Sequence, residues 1–567
     1  MASFDDVVSG LNGDPRTRRE VIRALTALGL MAPAAGMFKA MPAAAAPVVG
    51  GTPINFAHYQ ADAKTLVVGL DGAPSDRDPH SQYDYRSTLV IRAVYEGLLG
   101  LKGASTEEFE PLIAESWESN DDMSVWTFKI RPGITFQNGD PCDSNAVKAS
   151  YERMLAMGKG AVAVFSRFVS DPAQMSCPDA GTIVFDLGMP QPLFPTALAA
   201  TYGPQVVNVN VAMANEVDGD FGNAWMQLNS EGAGTGAYVV SEYDPASGVV
   251  LVQNPTYWGG WDGDHLERII VRVVEEPGTM RQLVENGDVD IMDRFSVQLE
   301  DVESLTANAN LNVVPEDSTE VEYWTMTVGG VLESVEARMA MCYAFPYSDT
   351  IAGVFKGLAT QTPTLVAPMV RGYADGIPVF PTDLEKAKEL LATAGVPEGT
   401  ELSVMMGSGA DSATAELFQA NLAQIGINLM IEKVDQPTFV GTFYGDAPAE
   451  ERPAFMRWSW WPDYNDAWNV LQPTTACDAW GSKGSNGGFY CNPAFDELLA
   501  EAKDASTLET YEAVLKQAQE IIGVQDPPVI SIAQPKWTTV LNKKVNGFAF
   551  NAINLGTYDF FNMSKSE

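Results

Sequence analysis

Residues 112–154 read LIAESWESNDDMSVWTFKIRPGITFQNGDPCDSNAVKASYERM and carry the densest structural pattern of the chain. Apolar side chains alternate within this stretch, as on the buried face of a half-buried strand; they are Trp126, Phe128 and Ile130. The turn-forming dipeptides Pro132-Gly133 and Asn138-Gly139 follow, with Ile134 and Phe136 continuing the strand between them. Asp143 or Ser144 can then cap a helix that ends at Gly158. The stretch therefore predicts strand, turns and capped helix in succession.

Strand and helix patterns continue to alternate on both sides of this stretch. The predicted strands are residues 66–70, 182–187, 238–240, 249–252, 268–274, 402–406, 428–432 and 529–532, with an extended region at 313–328. The predicted helices are residues 89–99, 278–286, 333–345, 413–425 and 495–522, the last of them interrupted around Ser506, and one opened by the capping box Thr382-Asp383-Leu384-Glu385. The β-α-β order across residues 402–432 predicts a parallel strand pair. We therefore expect an α/β fold with mixed sheets.

Length and charge narrow the class of protein. The 567 residues are enough for two or three domains with large cores. The hydrophobic content of 46% is that of a globular chain. The formal charge is −39, from 35 basic and 74 acidic residues. That excess argues against nucleic acid or an anionic membrane surface as partner, and it favours solubility.

The first fifty residues, 1–50, have the order of an export signal and linker. The sequence TRREVIR, with Arg18-Arg19, precedes an apolar run from Ala24 to about Phe38, and small residues follow at 43–46. This order is typical of a twin-arginine signal, and the run is too short to span a membrane. An amphipathic N-terminal helix is the alternative. With no cysteine near the cleavage region, we expect a periplasmic protein without a lipid anchor.

The cysteines indicate a disulfide and no metal site. Five are present, without a C-x-x-C pair or zinc spacing. Export permits disulfides, and Cys477 and Cys491 flank a Gly/Ser/Asn-rich loop that a bridge would help to order. A second bridge between Cys142 and Cys177 stays open. Cys342, in the apolar run MAMCYAF, is expected to pack as a small hydrophobic residue.

A second distinctive stretch, residues 457–468, reads RWSWWPDYNDAW. Four tryptophans and a tyrosine stand beside Arg457, Asp463 and Asp466. Flat rings with fixed charges suit a ligand pocket. A buried aromatic cluster with an acidic turn is an equally good interpretation of the local composition, so both stay open at this point.

The sequence lacks the usual signatures of enzymes. It has three histidines and no H-E-x-x-H, G-x-S-x-G or P-loop motif. GAGTGA at residues 232–237 formally fits a dinucleotide fingerprint, but a strand follows it instead of a helix. Acids are so abundant that no carboxylate pair can be singled out for glycoside hydrolysis. We therefore expect a binding protein without a cofactor.

Several segments together resemble one family, the extracytoplasmic solute-binding proteins of ABC transporters of the dipeptide/oligopeptide-binding type (family 5, cluster C). The order and spacing of these segments match those of the family from about Leu66 to near the C-terminus. Besides residues 112–154, the segments are GTGAYVVSEY (234–243), QNPTYW (253–258), GDVDIM (287–292), DLEKAKELLATAG (383–395) and GFYCNPAFDELL (488–499).

The resemblance implies a two-lobed periplasmic-binding-protein fold, α/β with mixed sheets, that closes on its ligand about a hinge. The first lobe would comprise residues 60–314, with a subdomain inserted at about 105–225, and 538–567 would complete it. The second lobe would be residues 315–537, with hinge crossings near 315–327 and 535–541. Such a protein captures a small solute, here a di- or oligopeptide, and delivers it as a monomer to a cognate permease in the inner membrane.

The resemblance also implies ligand-binding residues. Carried over by position, Asp463 would accept the ammonium group of a peptide, Arg457 would meet a carboxylate, and Trp460 would stack along the ligand. The remaining predicted residues are Trp461 and Trp324, with Tyr83, Asp84 and Tyr85 on the facing lobe. Structural roles stay open for some of them: Asp463 as a turn former, Arg457 as a partner of Glu450 or Glu451, and Tyr83 and Tyr85 as packing residues.

Departures from the family pattern leave the ligand open. TMTVGG, at residues 325–330, stands where relatives have an Asn-containing strand end, and Trp461 and Trp468 add aromatic surface. Indole rings also suit sugars, and members of this family also take oligosaccharides, metal chelates and opine-like compounds. An exported hydrolase on the same scaffold is the alternative from another class, and a turnover assay would distinguish it.

Overall fold

The computed structural model describes Ile54, Phe56, residues 63–407 and residues 412–567; the export signal predicted for residues 1–50 lies outside them. Strands and helices alternate through these residues. The strands are β1 (Thr65–Leu70), β2 (Leu99–Leu101), β3 (Phe109–Pro111), β4 (Ala114–Ser119), β5 (Val125–Ile130), β6 (Met175–Asp179), β7 (Thr182–Asp186), β8 (Tyr238–Asp244), β9 (Gly248–Gln253), β10 (Arg268–Val273), β11 (Ile291–Met292), β12 (Leu311–Asp317), β13 (Val321–Met326), β14 (Ala359–Thr360), β15 (Thr400–Gly407), β16 (Ile427–Val434), β17 (Phe455–Trp460), β18 (Val529–Asn542), β19 (Val545–Asn546) and β20 (Ser564–Lys565).

The α-helices lie mainly between these strands. They are α1 (Tyr85–Val94), α2 (Ser144–Met157), α3 (Val162–Phe165), α4 (Phe194–Leu198), α5 (Val209–Ala214), α6 (Asn223–Leu228), α7 (Pro277–Asn286), α8 (Val302–Thr306), α9 (Val335–Ala344), α10 (Tyr347–Asp349), α11 (Leu384–Thr393), α12 (Ala413–Gln424), α13 (Gln436–Phe443), α14 (Trp468–Thr475), α15 (Pro493–Lys503) and α16 (Leu508–Glu520).

One mixed sheet of twelve strands connects the two lobes. Its order is β16-β15-β17-β13-β18-β11-β1-β10-β9-β8, with β12 and β14 also paired to β18. The predicted parallel pair is confirmed, because β15 and β16 run side by side in parallel. The first part of β18 pairs with β13 of the second lobe, and its last part pairs with β12 and β11 of the first lobe. The two lobes therefore share a single fourteen-residue strand.

The chain passes between the two halves of this sheet at a hydrogen-bonded crossing. The Ser318 hydroxyl donates to the Pro535 carbonyl at 2.7 Å, and the Gln534 amide donates to the Ser318 carbonyl at 2.5 Å. All of these bonds are buried. They tie the β12–β13 connection to the middle of β18, where rotation of one lobe against the other would be centred. The lobe boundaries at 60–314, 315–537 and 538–567 stay predictions.

A separate four-stranded antiparallel sheet, ordered β4-β5-β7-β6, forms the subdomain that contains residues 112–154. The predicted strand is β5, with Phe128 buried, and the predicted helix is α2. The Asp143 carboxylate caps α2 by accepting from the backbone of Asn145 and Ala146. The continuation of the strand through Ile134 and Phe136 is wrong, since only an isolated bridge between Thr135 and Pro141 forms there.

Two predicted helix starts are wrong for reasons of capping. Helix α1 begins at Tyr85, because the Asp84 side chain accepts from the backbone of Ser87, and it ends before β2. The cap of α11 is Asp383, which accepts from the backbone of Lys386, whereas the hydroxyl of Thr382 donates to a carbonyl elsewhere. The interruption predicted around Ser506 in the helix at 495–522 is confirmed, because the chain forms two helices there, α15 and α16, and the Thr507 side chain caps α16 by accepting from the backbone of Thr510.

Candidate functional site

Asp463 lies where the two lobes meet. It follows strand β17 in the turn that leads to α14, and its side chain is buried. Its carboxylate accepts from the Tyr83 hydroxyl at 2.5 Å and from the Asn469 amide at 3.1 Å. Its backbone carbonyl accepts from the backbone N–H of Thr201 at 2.9 Å. Asp463 is therefore fixed by Tyr83 and Thr201 from the first lobe and by Asn469 from its own.

A cavity of about 210 Å³ opens beside Asp463, and we call it the aromatic cavity. Ten residues line it, and seven of them are aromatic. Two carboxylates also face it, those of Asp84 and Asp463, and no basic side chain does so among the described residues. The full lining is Tyr83, Asp84, Tyr85, Tyr202, Tyr444, Trp458, Ser459, Trp460, Trp461 and Asp463. A lining of aromatic rings and carboxylates suits an organic cation such as an ammonium group on a carbon chain.

A second cavity of about 330 Å³ adjoins the first. Tyr83, Trp460 and Asp463 line both cavities, so Asp463 lies at their junction. Lys483 and Lys503 also line the second cavity. Its lining is therefore more polar than that of the aromatic cavity, with Asp463 common to both.

Burial dominates the electrostatics at Asp463. It raises the pKa of Asp463 to about 6, although the hydrogen bonds from Tyr83 and Asn469 lower it. Burial likewise raises the pKa of Asp84, and it raises the pKa of Tyr83 well above its usual range. Above pH 6 the Asp463 carboxylate is mostly ionised in a site that offers it no cation among the lining residues of the aromatic cavity. A buried carboxylate in this position favours a cationic ligand group.

The three predicted residues of the facing lobe line the aromatic cavity and also hold local structure. Asp84 is the cap of α1. The Tyr85 hydroxyl donates to Asp71, and the Tyr85 ring lies against Phe295 with 4.5 Å between ring centroids. Tyr83 donates to Asp463. The packing roles left open for the two tyrosines therefore coexist with exposure to the cavity, and ligand contact by this trio stays a prediction.

Arg457 lines neither cavity. Its guanidinium makes a bidentate ion pair with Glu322, with N–O distances of 2.7 and 2.9 Å. The predicted partners Glu450 and Glu451 are therefore wrong. On β17, Arg457 alternates with Trp458 and Trp460, so its side chain leaves the opposite face of the strand. The carboxylate-binding role predicted for Arg457 has no support in this geometry.

The prediction that Trp324 binds ligand is wrong. Its side chain is completely buried, and its ring packs on Phe345, Phe418 and Phe455 in the core of the second lobe. Trp324 lies opposite Arg457 in the β13–β17 pair, so it faces away from the cleft for the same reason of alternation. Cross-strand register, which local composition does not reveal, decides its position.

Sequence analysis missed three aromatic residues of the lining: Tyr202, Tyr444 and Trp458. Trp458 could have been found, because it stands two residues before Trp460 on the same face of a strand. Tyr202 follows an Ala/Pro-rich segment that carried no functional signal, yet its ring lies 4.5 Å from that of Tyr83. Tyr444 comes from the end of α13. Only the fold brings these rings together.

The disulfide predicted between Cys477 and Cys491 is present, with 4.3 Å between the Cα atoms. The loop that it closes carries Lys483 into the wall of the second cavity. Cys142 and Cys177 are free, so the second bridge that was left open does not form, and Cys342 is buried as predicted. Among the described residues, no three or more His, Cys, Asp or Glu side chains are grouped to hold a metal ion.

Arg167 joins the subdomain to the second lobe next to the second cavity. Its guanidinium donates to Asp466 at 2.7 Å and to the hydroxyls of Tyr464 and Tyr511 at 2.6 and 2.9 Å. It also lies 4.1 Å from the ring centroid of Trp468. The side chains of Arg167 and Asp466 are 8% and 0% exposed, so this ion pair is desolvated. The bond network fixes the acidic turn of the tryptophan-rich stretch against the facing lobe.

Comparison with known proteins agrees with this architecture. The model of the bacterial extracellular solute-binding proteins, family 5 Middle, matches residues 108–482. The chain is 27% identical over 530 residues to the probable D,D-dipeptide-binding periplasmic protein DdpA of Escherichia coli (strain K12), covering 91% of this chain and 98% of that protein. It is 27% identical over 523 residues to di/tripeptide-binding protein 2 of Pseudomonas aeruginosa (strain UCBPP-PA14), covering 88% and 94%.

Solved structures show the same fold. The periplasmic binding protein DppA from Helicobacter pylori, in complex with the peptide STSA, superposes with a TM-score of 0.76 at 25% identity and covers 89% of this chain and 98% of its own. A dipeptide-binding protein from Pseudoalteromonas sp. SM9913, in complex with Met-Leu, gives 0.75 at 21% identity, with 88% and 100% covered. The two-lobed α/β fold is thereby confirmed.

All four of these relatives are named as binding proteins, and DdpA and DppA are named as periplasmic. No helix in the described part of this chain is both long and apolar enough to cross a bilayer. The family model spans well over half of the chain, through the subdomain, the hinge crossing at Ser318 and the tryptophan-rich stretch. The chain belongs to family 5 of the bacterial extracellular solute-binding proteins, which are the binding components of ABC importers.

Proposed function

We propose that this protein captures di- or oligopeptides in the cleft between its lobes, with Asp463 binding the peptide's α-ammonium group. The observation that carries the proposal is the buried Asp463 carboxylate at the junction of two cavities, where no lining side chain of the aromatic cavity neutralises it. An ammonium group would supply the missing charge and hydrogen-bond donors.

The geometry around Asp463 supports a ligand that extends in two directions. Apolar or aromatic groups fit between the rings of the aromatic cavity, while a polar continuation enters the second cavity. Cavities of about 210 and 330 Å³ together are of a size that suits a small ligand rather than a long chain. Relatives with named ligands also support this choice, since they bind D,D-dipeptides and di- or tripeptides.

Transport requires more than the binding site. We propose that the chain is exported by the twin-arginine route, acts in the periplasm as a monomer, and delivers its solute to a cognate ABC permease in the inner membrane. Support comes from TRREVIR and its apolar run at the N-terminus, and from the periplasmic location of the relatives. Closure of the lobes around the solute would present one compact surface to the permease.

A thermal-shift screen tests the ligand class. Di- to pentapeptides, oligosaccharides and metal chelates are compared, because a ligand that binds only the native state raises the melting temperature. We expect shifts with free peptides. If only oligosaccharides or chelates shift the melting temperature, the peptide assignment is wrong. Oligosaccharides are the most informative alternative to test, because indole rings also suit sugars.

The variant Asp463→Ala tests the ammonium contact. We expect it to weaken peptides with a free N-terminus by about tenfold or more, since truncating one partner of a buried charge pair costs about 2–5 kcal/mol. N-acetylated versions of the same peptides should lose little further affinity. Equal losses for both forms, measured by calorimetric titration, would remove Asp463 from the ammonium-binding role. Tyr373→Phe, outside both cavities, is the control for non-specific effects.

A further inference from the structure

We propose that the loop between β2 and β3, residues 102–108, is a latch that holds the two lobes together and slows the release of bound solute. The loop belongs to the first lobe, and it contacts Arg371 and Asn465 of the second lobe. None of these residues lines the aromatic cavity or the second cavity. The latch therefore acts on the movement of the lobes, and this role does not depend on which solute the cleft takes.

The loop is held in a fixed shape by the first lobe itself. Asn551, in the C-terminal segment, donates from its side-chain amide to the carbonyls of Gly103 and Ser105 at 2.8 and 3.0 Å. The Ser105 hydroxyl accepts from the backbone N–H groups of Glu107 and Glu108 at 3.2 and 2.9 Å. These bonds fix the backbone from which the Glu107 side chain extends. Little conformational freedom of the loop is therefore lost when Glu107 meets a partner.

Arg371 is the partner of Glu107 on the second lobe. Its Nη2 atom lies 2.8 Å from Oε1 of Glu107, and the two side chains are 22% and 63% exposed. Its Nη1 atom lies 3.5 Å from Oε1 of Glu512, a residue of its own lobe. Arg371 thus bridges one carboxylate from each lobe in an ion pair that is only partly exposed to solvent.

Asn465 connects this contact to the turn that carries Asp463. Its side-chain amide donates to the Thr106 carbonyl at 3.2 Å, and its amide oxygen accepts from the backbone N–H of Arg371 at 2.8 Å. Asn465 is 2% exposed and stands two residues after Asp463. Opening of the cleft therefore breaks the Asn465–Thr106 hydrogen bond and the Glu107–Arg371 ion pair together, beside the turn that carries Asp463.

Carbodiimide cross-linking tests whether the latch forms in solution, and it needs no solute. Arg371→Lys keeps the charge and supplies an amine, which the reagent couples to a carboxylate in direct contact. The amide bond forms with loss of water, which the carbodiimide takes up as it becomes a urea. We expect position 371 to be linked to Glu107, as identified by tandem mass spectrometry. Linkage of Lys102 to Glu108 in the same loop without linkage of position 371 to Glu107 would overturn the latch.

Release kinetics test what the latch does. The probe is an equimolar library of tripeptides with free termini, and native mass spectrometry follows the bound species after dilution of the complex. We expect Glu107→Gln to release them about two- to fivefold faster, the range for one partly exposed ion pair. The rate of association should not change, because the latch closes after capture. Glu108→Gln is the matched control: its side chain is 69% exposed, and it pairs with Lys102 inside the loop.

The double variant Glu107→Gln/Arg371→Gln separates the ion pair from effects of either residue alone. It should accelerate release by less than the product of the two single effects, because the pair is lost only once. Equal release rates in Glu107→Gln and Glu108→Gln, or slower association in place of faster release, would overturn the latch and leave peptide binding intact. If no tripeptide binds, the proposed function is wrong, and the cross-link to Glu107 alone decides the latch.

Discussion

At the scale of single residues, Asp463 shows how burial and function are connected. Its carboxylate is held by Tyr83 and Asn469, which is enough to fix its direction. These two hydrogen bonds do not offset the cost of desolvation, so the pKa of Asp463 is raised to about 6. A carboxylate that is buried away from bulk solvent attracts an ammonium group more strongly than an exposed one does.

Peptide affinity should therefore fall in mild acid. Protons compete with the ammonium group below the ligand-free pKa of about 6, so we expect about tenfold weaker binding at pH 5 than at pH 7. Calorimetric titration across pH 5–8 measures this. Asp463→Asn should show weak binding with little dependence on pH, and a pH profile shared by both proteins would contradict the assignment to Asp463, since Tyr83 and Asp84 face the same cavity.

The raised pKa of Asp463 gives the stability of the ligand-free protein the opposite pH dependence to that of peptide affinity. An aspartate whose pKa is raised from 3.8 to about 6 holds its proton more tightly when folded than when unfolded. Its contribution to the free energy of unfolding therefore falls as the pH rises from about 4 to 6. Replacing Asp463 with asparagine should remove this loss, which urea unfolding at pH 4.5 and 7 can detect.

Glycines of the GAGTGA stretch illustrate a structural use of a motif that resembles a functional one. A Cβ at Gly234 would lie 2.0 Å from the Val94 carbonyl oxygen, and one at Gly236 would lie 2.6 Å from that of Ala93. The two glycines let this loop pack on the end of α1. Glycine is needed at both positions because the backbone of α1 comes so close. The pattern of a nucleotide-binding motif therefore arises here from packing, without the strand-to-helix context of that motif.

At the scale of elements, the turn between β17 and α14 is held across the cleft by Arg167. Removing this side chain leaves the Asp466 carboxylate buried with only hydroxyl and backbone donors, among them Tyr511. Breaking a buried ion pair costs about 3–5 kcal/mol. Because Arg167 and Asp466 belong to different lobes, much of that cost falls on the arrangement in which the lobes touch.

We therefore expect Arg167→Met to weaken solute binding by at least about tenfold and to enlarge the radius of gyration of the protein with solute bound. Calorimetry and small-angle X-ray scattering measure the two effects. Arg281→Met is the matched control, since the ion pairs of Arg281 with Glu285 and Asp301 are partly exposed and lie within the first lobe. Unchanged affinity in Arg167→Met would show that the contact does not contribute to closure.

The disulfide loop is the second element that shapes the cleft. Cys477 and Cys491 are 14 residues apart, and a loop of that length corresponds to about 3 kcal/mol of stabilisation in the chain-entropy model. Cys477→Ala/Cys491→Ala should lower the free energy of unfolding by about that amount. The free, half-buried thiol of Cys177 provides the control, and Cys177→Ala should change stability little. Equal losses in urea unfolding would argue against a specific role of the bridge.

At the scale of the whole molecule, the net charge of −39 acts on every residue of the fold. Self-repulsion destabilises a compact state, and salt screens it over about 10 Å at 0.1 M ionic strength. We expect the urea midpoint to rise between about 0.02 and 0.5 M NaCl. KCl should have the same effect at equal ionic strength, because screening does not depend on the cation. A midpoint that stays flat or falls would contradict net repulsion.

The shared strand β18 also acts at this scale. It contributes to both lobes, so separating the lobes would break one continuous sheet, and the chain passes between them at the crossing of Ser318 and Gln534. Pairing of β13 with β18 and of β12 with the same strand joins residues more than 200 positions apart. Local patterns indicated the strands, but no local pattern could assign their partners.

By itself, the sequence determined what local chemistry specifies: alternation in β5, the cap at Asp143, the parallel β15–β16 pair, the disulfide and the family. Tertiary structure alone decided which face each tryptophan of residues 457–468 presents. Trp458 and Trp460 reach the aromatic cavity, while Arg457 turns to Glu322 and Trp324 enters the core. The reason is physical: side-chain direction in a strand depends on register against partners distant in sequence, and Tyr83, Tyr202 and Asp463 meet only when the two lobes touch.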